Sequence, residues 1–221
     1  ALEWYEKGSQ LFPKNRSLRK DIIRVYKKMG LLEKALEEAR NFYGSDTAQF
    51  LLEAGDIYVQ MKRFDKGISM YQAARKKGGE DEADAISRIG DVYLYYKKKT
   101  KKALELYLKA LALTKQGEGN YDYYCRRVME CYHELGRPDE GIPYQKLVYE
   151  SWIARYGSID NYLQNFYYRK TRLYSMGSMY YYIGDLEKAR EYLEQIGQES
   201  KCRHCSYKEC EDYWEAMGFL R

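Results

Sequence analysis

One demand recurs along this 221-residue chain: a tyrosine, then a small residue nine or ten positions later, at intervals close to 34 residues. Tyr26 leads to Ala35, Tyr58 to Gly67, Tyr93 to Ala103, Tyr132 to Gly141 and Tyr180 to Ala189. A second set of small residues, Gly55, Gly90 and Gly177, stands three places before three of those tyrosines. A period of this length is that of stacked supersecondary units, here two helices joined by a short turn. Glycine inside a helix costs about 1 kcal/mol relative to alanine, so its return at one register position implies close helix approach. The same demand for a large, flat, half-buried residue accounts for 26 tyrosines against six phenylalanines.

The small residues beginning each second helix are spaced 34 (Ala1 to Ala35), 32, 36, 38 and 48 residues apart. The 36 includes one extra residue, expected in the turn before Ala103. The 48 implies roughly a dozen inserted residues between Tyr149 and Leu173. They read as a lengthened first helix, with Gly157 ending the helix before it and Ser158 as N-cap.

With these units in place the chain resembles the tetratricopeptide repeat family. The resemblance is carried best by Leu173, Met176, Gly177, Tyr180, Gly184, Leu186 and Ala189, and by Trp214 with Met217 and Gly218. Ala1, Tyr5, Gly8 and Pro13 match the second half of a repeat. The resemblance implies an all-α fold, a right-handed superhelical solenoid of antiparallel helix pairs, as one array over 1–221. Residues 1–15 are then the second helix of a truncated repeat, 16–197 about five full repeats, with Gly197 closing the last second helix, and 198–221 a Cys-rich connection with the first helix of another. Because both ends cut through a repeat, the chain is expected to be a fragment of a longer array.

Chemistry is sparse. There is no Gly-rich phosphate loop, GxSxG or HExxH. His133 has no nucleophile near it in sequence, and the carboxylates alternate with basic residues as on solvated helix surfaces. The expectation is a chain that is not an enzyme and needs no cofactor. The longest uncharged run, Leu173 to Gly184, falls well short of the roughly 18 apolar residues of a membrane span. A net charge of +5 is mild, and the run Lys97 to Lys102 reads as a solvated turn without an aromatic platform, so nucleic acid is not the expected partner. Five cysteines, an odd number, suit a reducing and hence cytoplasmic compartment. Three of them, Cys202, Cys205 and Cys210, are weak candidates for a zinc site that lacks an evident fourth ligand.

Likeness to the family implies that first helices line a concave groove. The side chains expected to reach it are Lys20, Arg24, Lys27, Asp56, Gln60, Asp91, Tyr95, Glu130, His133, Tyr174, Ser178 and Tyr181. Leu52, Ser87 and Leu94 fall at equivalent places. Such a groove is basic at its start, acidic in the middle and tyrosine-rich at its end, which suits a protein or peptide partner carrying a basic segment. Some family members clamp a terminal carboxylate with Lys, Asn and Arg; here Arg24, Glu53 and Asp84 stand at clamp positions, and the acidic pair would repel that ligand. The expected function is a protein–protein interaction scaffold that binds a peptide or helical segment, with homo-oligomerisation compatible. The alternative is a docking or regulatory module of a larger enzyme whose catalytic domain lies elsewhere.

Overall fold

The computed structural model describes residues 15–79, 81–164 and 169–198, and positions 4, 7, 11 and 12 before them. The described residues are helical, with no strand. They divide into two compact units, Ala1–Lys115 and Gln116–Arg221. In the first unit α1 (Arg16–Lys28), α2 (Leu32–Tyr43), α3 (Ala48–Gln60), α4 (Phe64–Lys77), α5 (Asp81–Asp91) and α6 (Thr100–Ala112) follow one another as three pairs. The second unit holds α7 (Tyr121–Glu134), a 3₁₀ turn Pro138–Gly141, α8 (Ile142–Tyr156), α9 (Ile159–Gln164), α10 (Arg169–Tyr182) and α11 (Leu186–Gln198).

The turn inside four of the five pairs has one construction. The repeat tyrosine's carbonyl accepts from the N–H five residues on: Leu31 to Tyr26 at 2.9 Å, Arg63 to Tyr58 at 2.8 Å, Arg137 to Tyr132 at 2.9 Å and Asp185 to Tyr180 at 3.0 Å. The residue before that donor is left-handed (Gly30, Lys62, Gly136, Gly184), which satisfies otherwise orphaned carbonyls at the helix end. A cation from the start of the second helix then covers the tyrosine ring, with Lys34 over Tyr26 at 5.9 Å and Lys66 over Tyr58 at 5.8 Å.

The third pair departs from the expectation for its extra residue. The left-handed residue Lys98 stands five places before Ala103, as Lys62 does before Gly67. The turn is therefore of ordinary length. The added residue is absorbed by a π-helical end to α5, Val92–Tyr96, where Lys97 N–H donates to the Val92 carbonyl at 3.0 Å. One wider helical turn keeps the hydrogen-bonded helix end and the register of α6, both of which a longer turn would disturb.

The insertion also differs from a lengthened helix. Ser158 caps α9 as expected, its Oγ accepting from the Asn161 N–H at 3.0 Å, and Gly157 closes α8 with φ 82°. However, α9 packs on both α8 and α10, and Arg172 donates to the Tyr162 carbonyl ten residues earlier. A straight helix would separate those two residues by about 15 Å. The insertion therefore adds a short helix against the pair. At the far end α11 runs through Gly197 to Gln198 rather than stopping at the glycine.

Core packing explains the small residues. A Cβ at Gly55 would lie 2.3 Å from the Tyr71 ring, one at Gly90 2.9 Å from Tyr107, and one at Gly177 2.5 Å from Leu193. The large residue over each glycine thus comes from the second helix, not from the repeat tyrosine. In the first pair the volumes are exchanged: Ile23 stands at the glycine's place and Ala39 opposite, in the same cluster as Phe50, Ile57 and Tyr71. Total volume is conserved while the bulk changes sides.

Candidate functional site

The first helices of the first unit, α1, α3 and α5, carry a chain of ion pairs between successive repeats. Lys27 Nζ lies 2.7 Å from Glu53 Oε1 and 4.0 Å from Asp56 Oδ2. Arg88 bonds the same Asp56 Oδ2 and reaches Asp84 Oδ2 at 3.0 Å. Burial alone would lower the Arg88 pKa, but Asp56 and Asp84 more than offset it, so the guanidinium is held charged. Gln60 Nε2 donates to the Lys27 carbonyl at 2.8 Å, closing the end of α1. Lys20 and Arg24 are exposed, with Arg24 3.0 Å from Asp21 on its own helix.

Asp56 and Asp91 have a second duty. Tyr71 Oη donates to Asp56 Oδ1 at 2.7 Å, and Tyr107 Oη donates to Asp91 Oδ1 at 2.7 Å. Both tyrosines are buried, passing over Gly55 and Gly90 from the second helix. A buried phenol needs an acceptor, and the residue beside the glycine is the one within reach. The Tyr71 hydroxyl is pushed up by burial and then by Asp56, so it stays protonated. These aspartates are therefore structural acceptors as well as members of the acidic strip. The pattern Gly-Asp with Tyr 15 or 16 residues past the Asp was present in the sequence and would have signalled this role.

Three carboxylates (Glu53, Asp56, Asp84) share two cations (Lys27, Arg88) on this strip. Tyr95 is half-buried at its end. Leu52, Ser87 and Leu94 are not on the open face; at 6%, 1% and 1% exposure they pack within the array. The basic run is partly engaged as well: Lys97 Nζ bonds Asp65 Oδ1 at 2.7 Å and Lys102 covers the Tyr93 ring at 4.3 Å.

In the second unit the expected groove residues are drawn into the packing. Ser178 is 3% exposed and donates to the Ser175 carbonyl at 3.2 Å. Glu130 is 8% exposed, and Arg127 lies 2.5 Å from its Oε2. Burial, then Glu130, pushes the Tyr182 hydroxyl up, and burial raises Tyr174. His133 packs its ring 4.7 Å from Tyr181 and 6.0 Å from Tyr182. Its Nδ1 is buried without a hydrogen-bond partner among the described residues.

Cys125 and Cys131 are buried, and burial followed by Asp122 pushes the Cys125 thiol up to about 12, far from a reactive thiolate. Among the described residues no three His, Cys, Asp or Glu side chains gather as a metal site. Cys202, Cys205 and Cys210, and the partial repeats at 1–15 and 198–221 apart from positions 4, 7, 11, 12 and 15 and the end of α11 at Gln198, lie outside the described residues. Among the described residues, no helix is long and apolar enough to cross a membrane.

The tetratricopeptide-repeat family model matches residues 48–74 and 171–196, two helix pairs containing Gly55 with Tyr71 and Gly177 with Leu193. No curated protein matches the sequence. Among solved structures, BtubC (BKLC) from P. vanneervenii is similar over 93% of this chain and 90% of its own, at 14% identity and TM-score 0.61. A Podosopora anserina putative kinesin light chain with nearly identical TPR-like repeats aligns over 85% of this chain and 96% of its own, at 13% identity and TM-score 0.57. MamA aligns over 70% and 88%, at 22% identity and TM-score 0.50. At these identities the likeness is one of fold: an all-α array of repeats.

Proposed function

We propose, from the premise that this chain is a tetratricopeptide-repeat protein, that its first-helix face binds an extended or helical segment of a protein partner through a stretch of basic residues. Such repeat scaffolds have protein or peptide partners. The finer assignment rests on one observation, the strip across α1, α3 and α5 in which Glu53, Asp56 and Asp84 share Lys27 and Arg88. Lysine or arginine side chains of a ligand would complete that balance, exchanging with Lys27 and Arg88 for the shared carboxylates. Lys20 and Arg24, exposed on α1, would select against basic residues at one end of the segment and so set its direction.

The test must avoid Asp56 and Asp91, since both hold buried tyrosines. Glu53 and Asp84 contact cations without such a duty. A fluorescein-labelled hexalysine peptide should bind the chain in low salt. The double variant Glu53→Lys with Asp84→Lys should weaken that binding about ten-fold or more, the worth of at least one charge-assisted contact. Unchanged affinity in a variant with an unaltered melting curve would end the assignment of this face.

A further inference from the structure

The second unit contains a cleft of opposite character, independent of the strip in the first. Its volume is about 360 Å³, and its lining includes Asp122, Arg126, Trp152, Arg155, Tyr162 and Arg172. The walls are tied to one another. Trp152 and Tyr162 stack at 4.3 Å with 13° between their planes, and the Trp152 indole N–H donates to Asp122 Oδ2 at 2.8 Å. The Arg172 guanidinium lies 4.7 Å from the centres of both the Tyr156 and Tyr162 rings.

The informative feature is how Arg126 and Arg155 are satisfied. Arg126 donates to the Asp122 carbonyl at 3.4 Å and to Ser175 Oγ at 3.0 Å; Arg155 donates to the Gly117 carbonyl at 2.7 Å. Every one of these acceptors is neutral. Neither arginine has an ion pair among the described residues, whereas Arg127 and Arg137 nearby pair with Glu130 and Glu140. Arg126 and Arg155 outnumber Asp122, the one carboxylate of the lining, and leave it net positive. Aromatic walls lower the local dielectric and concentrate that potential. Guanidinium forks match the geometry of a carboxylate, with two parallel N–H donors to two oxygens.

We infer that this cleft is a docking site for an acidic peptide segment, with a glutamate or aspartate carboxylate seated between Arg126 and Arg155. The cleft exists because of the insertion: α9 supplies Tyr162, which holds both Trp152 and Arg172 in place. Its volume exceeds that of a lone carboxylate, which leaves room for the peptide carrying it. Asp122 in the wall favours a singly charged oxyanion over a dianion.

Fluorescein-labelled hexaglutamate, titrated into the full chain in low salt and followed by anisotropy, is the direct probe. Arg155 is exposed, so Arg155→Glu should fold normally, with an unchanged melting curve, and weaken binding about ten-fold or more. Arg126→Gln should give a similar loss. Lys99→Glu, an exposed change of equal charge in the first unit, should leave affinity unaltered. An equal loss in Lys99→Glu and Arg155→Glu would reduce the effect to net charge and overturn the site, as would hexaglutamate binding that ignores Arg155. Displacement of the peptide by an equimolar amount of inorganic phosphate would reassign the cleft to phosphate and overturn the carboxylate assignment.

Discussion

The two units solve the same packing problem with different chemistry. In the first, Gly55 and Gly90 make room for Tyr71 and Tyr107, whose hydroxyls require Asp56 and Asp91. In the second, Gly177 makes room for Leu193, which has nothing to donate, and the residue after the glycine is Ser178, bonded to its own helix. Where the filling residue is a phenol, the open face acquires a carboxylate. Where it is a leucine, that position closes into the core. A surface charge pattern can thus be set from within, by the hydrogen-bonding need of a side chain on another helix. The comparison also separates the charges: in the first unit Arg88 is bound to carboxylates, while in the second Arg126 and Arg155 rest on neutral oxygens.

The sharpest way to break this comparison is to add a methyl group at the glycines. Gly55→Ala should destabilise the chain by about 1–3 kcal/mol, because the Tyr71 ring is tied down by Asp56 and cannot move aside. Gly177→Ala should cost less, since no hydrogen bond ties down the Leu193 side chain it meets. Urea denaturation of both variants decides it, and a larger cost at Gly177 would contradict the account.

A smaller effect comes from the hydroxyl itself. Tyr71→Phe should cost about 1 kcal/mol by leaving Asp56 short of a donor. The folded Tyr71 pKa is raised above its ordinary value of 10.0, first by burial and then by Asp56. Its stabilising contribution is therefore complete below pH 10 and is lost as pH rises above that value towards the folded pKa. Unfolding midpoints between pH 9 and 11 should fall less steeply in Tyr71→Phe than in the parent. Identical slopes would show that the phenol is not held by burial and Asp56.

The mildest change concerns the turns. Lys98 takes a left-handed conformation, φ 51°, at the place where Gly30, Gly136 and Gly184 stand in other pairs. Lys98→Gly should be neutral or stabilise by up to about 1 kcal/mol, relief of αL strain less the entropy of glycine. A clear loss of stability in thermal melts would mean that the π-helical end of α5 depends on the lysine side chain.

Much of the fold is legible in the residues themselves. The tyrosine–small spacing marks each pair, the glycines at 30, 136 and 184 mark the left-handed turns, and Gly157 with Ser158 marks the boundary between α8 and α9. These are local matters, settled by backbone sterics and hydrogen bonds within a few residues. The candidate site was legible only in part. Register puts Lys27, Asp56 and Asp91 on first helices, but that Asp56 serves Lys27, Arg88 and Tyr71 at once involves four helices. Ser178 and Glu130 occupy groove positions by count yet are covered by neighbouring side chains.

By itself, then, the sequence determined a series of helix pairs with punctuated turns and a repeated need for one small and one large residue across each pair. Only the tertiary structure decided which helix supplies the bulk, where the extra residue before Ala103 is absorbed, and that the insertion folds into α9 and frames an arginine-lined cleft. The physical reason is range. Helix periodicity and turn chemistry act between residues a few places apart, whereas the partners of a charge or a phenol are chosen among side chains 15 to 49 positions away, and only packing brings those together.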